Sequence, residues 1–139
     1  MRSSGPLEDR IAIRELIDSY NDAVMRFDPD DWGANWDDDG VWSLPGREPV
    51  SGRTNIVPFW TAVMSQIRVD GFFASAGIIT VTCDTAHGTW YQQEFLSGKD
   101  GTGPKRFVIG EYTDYYVKRD GRWLFSRREY NVRTAEERQ

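Results

Sequence analysis

The chain has a single cysteine, Cys83, and a single histidine, His87. One thiol excludes an internal disulfide. One thiol and one imidazole cannot assemble a structural zinc site or a multi-histidine metal centre. No apolar run approaches the ~18 residues of a membrane-spanning helix, and the Met1–Pro6 stretch lacks the apolar core of a signal peptide. Basic residues are in deficit: 17 Lys and Arg stand against 22 Asp and Glu, for a net charge of −5. Without a basic field, nucleic acid and anionic membrane surfaces are disfavoured as partners. The glycines of "SGKDGTG", Gly98, Gly101 and Gly103, precede no helix and lack the phosphate-loop lysine pattern. The expectation is a cytoplasmic protein that needs neither metal nor organic cofactor.

What the chain does have is aromatic mass, with 14% Phe, Trp and Tyr in 139 residues. That excludes a wholly disordered chain and suits a single domain over 1–139, with 1–7 and 134–139 as loose tails. Ile13, Leu16, Ile17, Tyr20, Val24 and Phe27 recur in steps of three and four, which predicts an amphipathic first helix. Asp28-Pro29 ends it and starts a second, Asp28 serving as N-cap and Pro29 as first residue. Trp32 and Trp36 are expected to share that helix's buried face before Gly40, followed by a short strand Val41–Leu44. "SGRT" leads into a third helix over 54–67. From Gly71 onward the segments 72–83, 88–96, 106–118 and 123–132 are β-branched and aromatic, with Asp120-Gly121 a strong hairpin turn. Helices first and antiparallel strands after predict an α+β fold.

The helix-one tyrosine, "FDPDDWGANWDDDGVW", "SGRTNI" and the closing "YVKRDGRWLFSRR" resemble the SnoaL-like division of the nuclear transport factor 2 superfamily. That group includes ketosteroid isomerases, scytalone dehydratases and polyketide cyclases. The resemblance covers residues ~8 to 132 and implies a cone-shaped, curved antiparallel sheet wrapped by three N-terminal helices, an α+β barrel whose mouth opens on an apolar pocket. It implies a cofactor-independent isomerase, dehydratase or cyclase acting by proton transfer on a hydrophobic small molecule. The alternative is a non-catalytic ligand-binding or partner-subunit module of the same fold. The relatives' oxyanion tyrosine falls on Tyr20 and their cavity carboxyl on or beside Asp114. Their other proton-transfer groups fall on Met25, Leu44 and the Phe72-Phe73 pair, none of which transfers protons.

Strand alternation puts Tyr112, Asp114 and Tyr116 on one face and Trp90, Gln92 and Glu94 on one face of the preceding strand. Tyr20, Asp114 and Glu94 are the candidate catalytic residues, with Trp42, Trp60, Trp90 and Tyr112 as the apolar lining. Buried in the cone, Asp114 is expected to be a neutral acid near pH 7; otherwise it faces solvent or pairs with an arginine of a neighbouring strand. Glu94 serves as a second carboxylate, or forms a cross-strand ion pair with Arg127 or Arg128. Cys83 is expected to be buried, His87 exposed and inert, and Asp37-Asp38-Asp39 a solvated charge run. Apolar residues on both strand faces, Phe107, Ile109 and Tyr115 against Val108, Tyr112 and Tyr116, predict a homodimer through the outer sheet face.

Overall fold

A computed structural model describes all residues from 1 to 139. The first helix, α1 (Leu7–Arg26), buries Ile13, Leu16, Ile17, Tyr20, Ala23 and Val24 along the stripe that the sequence spacing marks. Phe27 closes it in a left-handed conformation, φ 50°. In the next turn the Asp28 carboxylate accepts a 3.0 Å hydrogen bond from the Asp31 amide and caps α2 (Pro29–Gly33). That helix is shorter than expected. Trp36 lies in a strand, β1 (Trp36–Ser43), and reaches the core from there, 5.9 Å from Trp32 between ring centroids. After the two-residue strand β2 (Val50–Ser51), α3 runs over Arg53–Met64 and buries Ile56 and Trp60.

Four long strands follow: β3 (Ile67–Thr82), β4 (Thr85–Gly98), β5 (Lys105–Arg119) and β6 (Arg122–Arg138). They pair antiparallel in sequence order, but β1 joins β6 in parallel, so the six-stranded sheet is mixed. Its order is β2-β1-β6-β5-β4-β3, curved and not closed into a barrel. Asp120-Gly121 forms the expected tight hairpin, with φ 50° and 78°. The inner face packs on the helices; the outer face leaves Phe73, Tyr91, Phe95 and Tyr115 exposed. No helix is long and apolar enough to cross a membrane.

Both expected tails are structured. The Ser4 amide donates to the Ile79 carbonyl and the Val81 amide to the Ser4 carbonyl, 3.0 Å each, which docks the N-terminus on β3. Residues 134–138 continue β6 beside Lys105–Ile109, because polar side chains do not stop a backbone that finds a ladder partner. Cys83 is exposed rather than buried, since it occupies the β3–β4 turn at φ 54°. The acidic run is also not simply solvated. Asp37 is 3% exposed and receives two hydrogen bonds from Arg119, which hold its carboxyl below the usual range. Asp38 pairs with Arg53.

Gly88 sits where β3 bulges between Ala76 and Ile79, and a Cβ there would lie 2.6 Å from the Ile78 carbonyl oxygen. Backbone cannot yield as a side-chain tip can. Gly88→Ala is therefore expected to lower unfolding free energy by about 1–3 kcal/mol, read from a shift in the denaturation midpoint.

Candidate functional site

The inner face of the sheet carries polar groups at two separate levels. The deeper level is built by cross-strand neighbours. Asp114 on β5 is the register partner of Arg128 on β6, and both are fully buried. Arg128 Nε donates to Asp114 Oδ1 at 2.7 Å and Nη2 to Oδ2 at 3.1 Å, a two-pronged contact. Tyr116 Oη adds a longer hydrogen bond to Oδ2, at 3.4 Å. The guanidinium carbon lies 3.6 Å from the ring centre of Tyr112, 4.0 Å from Trp90, 4.4 Å from Phe125 and 4.7 Å from Tyr20. The ion pair is thus boxed by aromatic faces that attract the cation electrostatically. Arg128 Nη1 is buried without a hydrogen-bond partner.

Burial pushes the Asp114 carboxyl upward, as expected from the sequence, while the charge of Arg128 and its hydrogen bonds pull it back. A guanidinium stays charged in proteins, and its fork matches a carboxylate. The pair is therefore ionic, and Asp114 is not the free neutral acid that burial alone would make it. Tyr20 shares this level, 3% exposed, its ring edge-on to Trp90 at 5.2 Å. Its hydroxyl is pushed up first by burial, against the opposing charge of Arg128.

The second level lies further along β4. Trp90 Nε1 donates to Gln92 Oε1 at 2.8 Å, and Gln92 Nε2 donates to Glu94 Oε1 at 2.5 Å and reaches Tyr130 Oη at 3.4 Å. Burial drives the Glu94 carboxyl up to about 7, opposed only by the charge of Arg106. Glu94 makes no ion pair with Arg127 or Arg128: Arg127 binds Glu129, and Arg128 binds Asp114. Glu94 lies six residues beyond Gly88, the register partner of Asp114, which separates the two levels by roughly 20 Å along the strand. Asp114 and Tyr20 are therefore brought together, and Glu94 stands apart from both.

The four expected lining residues are packed into the core rather than around an open space. Trp60 stacks on Trp32 at 4.4 Å and 8°, Trp42 Nε1 donates to Tyr112 Oη at 3.0 Å, and Trp90 stands edge-on to Tyr112 at 6.1 Å. Trp42, Trp60, Trp90 and Tyr112 are all buried members of one core cluster. Of the positions where relatives carry proton-transfer groups, Met25 and Phe73 are exposed. Leu44 packs against the core, and Phe72 faces inward, 6.5 Å from Trp90.

Arg128, Gln92 and Tyr130 were not among the sequence candidates. Gln92 was legible, since it shares the alternating face of Trp90 and Glu94. Arg128 and Tyr130 were not. The β5–β6 register shifts between Tyr115 and Tyr116, whose partners are Arg127 and Phe125. The extra residue, Ser126, turns the chain so that Arg128 rather than Arg127 follows Phe125 inward.

Removing one member of the buried pair leaves the other charge uncompensated. Asp114→Asn is expected to cost about 3–5 kcal/mol in denaturant unfolding, and the apolar double replacement Asp114→Leu with Arg128→Met distinctly less. An Asp114→Asn variant as stable as the parent would contradict the ionic reading.

Residues 5–129 match the family model for a SnoaL-like domain. The comparison with curated sequences gives no match. Among solved structures, a candidate aromatic ring hydroxylase from Novosphingobium aromaticivorans is similar at 26% identity, with 96% of each chain covered and a TM-score of 0.80. A type 2 hexachlorocyclohexane dehydrochlorinase is similar at 19% identity, covering 96% of this chain and 90% of its own, TM-score 0.80. A ketosteroid isomerase-like protein from Erwinia carotovora atroseptica shares 18% identity over 93% of this chain and 99% of its own, TM-score 0.81.

Proposed function

This chain belongs to the SnoaL-like domain family, and on that footing we propose that it is a cofactor-independent enzyme that moves a proton on a hydrophobic small molecule, in an isomerisation, dehydration or cyclisation. One observation carries the reading: Glu94, on the inner wall of the cone, is a shielded carboxyl whose pKa is pushed to about 7 by burial. A base is most effective when its pKa lies near the working pH. Gln92 orients the carboxyl through Oε1. Asp114 and Tyr20 hold Arg128 in place at the deep level, where Arg128 Nη1 is the unpartnered donor offered to a polar group of the substrate remote from the carbon that Glu94 deprotonates. Trp42, Trp60, Trp90 and Tyr112 are assigned to the apolar body of the substrate. Their rings pack within one buried core cluster, so a ligand enters by parting them.

The test is solvent-deuterium incorporation into a panel of cyclic ketones and hydroxylated polycyclic compounds, followed by mass spectrometry. A base must be ionised, so exchange is expected to rise with pH through about 7 and level off above it. Glu94→Gln is expected to remove that limb and to cost about 100-fold or more in rate. An unchanged rate and profile in Glu94→Gln would sink the assignment of Glu94 as the base.

The second reading is a non-catalytic ligand-binding or partner-subunit module. It is favoured by the exposed Met25 and the half-buried Leu44 where relatives carry acidic residues. A protein that binds panel members without any deuterium exchange would decide for it.

We infer a homodimer through the outer sheet face, where Phe73 is 63% exposed, Tyr91 lies open beside it and Tyr115 lies open further along the face. Such rings are costly to leave in water over a contiguous patch. Sedimentation equilibrium at micromolar concentration is expected to give twice the 16.0 kDa chain mass, and Phe73→Asp to return it to the monomer. A parent sedimenting at the chain mass would exclude the dimer.

A further inference from the structure

At the end of the sheet where β3 and β5 begin and β4 and β6 finish, a surface cleft of about 910 Å3 opens. That volume is within the range of small-molecule sites, ~300–1,000 Å3. Phe95, Leu96 and Phe107 give it an apolar wall. The Phe95 and Phe107 rings lie 5.0 Å apart.

The charges around this wall run against the balance of the chain. Arg68, Lys105, Arg106 and Arg138 line the cleft together with Gln139, and Asp70 and Glu136 are the counter-charges among the lining side chains, in a protein whose net charge is −5. Asp70 is engaged by Arg68 at 2.7 Å and by Lys105 at 3.8 Å, and Glu136 by Arg138 at 3.3 Å. One carboxylate is thus shared between two cations, and Arg106 stands outside these pairs. A cationic surplus beside exposed phenyl rings recognises one ligand chemistry: an anionic head that takes charge-assisted hydrogen bonds, on a body that covers the rings. Neutral apolar molecules satisfy only the wall, and cations are repelled.

We infer that this cleft binds an amphipathic organic anion, a carboxylate or sulfonate carried on a short apolar chain or ring. The site is separate from the Asp114–Arg128 level and does not depend on the proposed reaction. The head group is held by Lys105, Arg138 and Arg106, and the apolar part lies along Phe95 and Phe107.

Isothermal titration with decanoate tests it, with decanol as the neutral probe of equal length. Lys105→Glu with Arg138→Glu is the informative variant, since both side chains are exposed. Arg106, whose charge reaches Glu94, is left unchanged. One decanoate is expected per chain. The double variant is expected to bind it at least about tenfold more weakly, equivalent to ~1.4 kcal/mol, with an unchanged circular dichroism spectrum. Phe107→Ser is expected to weaken both probes. Equal affinity of parent and double variant would place decanoate elsewhere and overturn the site. Decanol binding as tightly as decanoate, or no decanoate binding at all, would do the same. So would decanoate binding that declines as protein concentration rises, because a second copy would then be the occupant.

Discussion

The two-pronged contact between Arg128 and Asp114 is the constraint around which the interior is arranged. A charged pair that is fully buried survives only when its geometry is close to ideal and its surroundings answer the charge. Both conditions are met by sequence-distant elements: Tyr20 comes from α1, Trp90 from β4, Tyr112 from β5 and Phe125 from β6, all within 4.7 Å of the guanidinium carbon. The pair therefore ties a helix and three strands to one point. The density of aromatic residues follows from this. Ring faces attract a buried cation, which aliphatic side chains do not.

The division of the inner face into two levels follows from the same pair. Burial acts on Asp114 and Glu94 in the same direction, but Asp114 has a guanidinium against it and Glu94 has only the field of Arg106 and an amide donor. Identical chemistry in one cone thus yields one carboxylate fixed in a structural ion pair and one that titrates near neutrality. Of the positions where the resemblance implies proton-transfer groups, Met25 and Phe73 are turned to solvent, while Phe72 and Leu44 pack inward.

Much of this was legible in the sequence because it is periodic. The stripe on α1, the cap at Asp28 and the hairpin at Asp120-Gly121 each follow from local rules, and the change of period at Gly71 set the order of helices before strands. The misses share a physical cause. Trp36 shares a face with Trp32 in a helix, and the same residue is equally buried from a strand once α2 ends at Gly33, its last carbonyls capped by the Asn35 side chain. Arg128 was hidden by a bulge, since strict alternation from Trp123 and Phe125 points Arg127 inward instead. Parity along a strand holds only until one inserted residue reverses it, and the residue reversed here carries the charge of the core. The strand at 134–138 was missed for another reason: charged side chains describe where a segment meets water, not whether its backbone is paired.

That last segment has a consequence for how the molecule behaves in company. The β1–β6 ladder ends at Ser43 and Glu129, whereas β6 continues to Arg138 with β5 on one side only. Beyond Glu129 the other side of β6 is a run of amide and carbonyl groups without a strand against it, the kind of edge on which a foreign strand can add itself. Arg133, Glu136, Glu137 and Arg138 are spread along it, all exposed. Any extended segment laid against this edge must bring matching charges into register or leave charges facing their own sign. The polar end of the chain thus works as a guard on its own backbone, keeping a long, open ladder from becoming a template for aggregation.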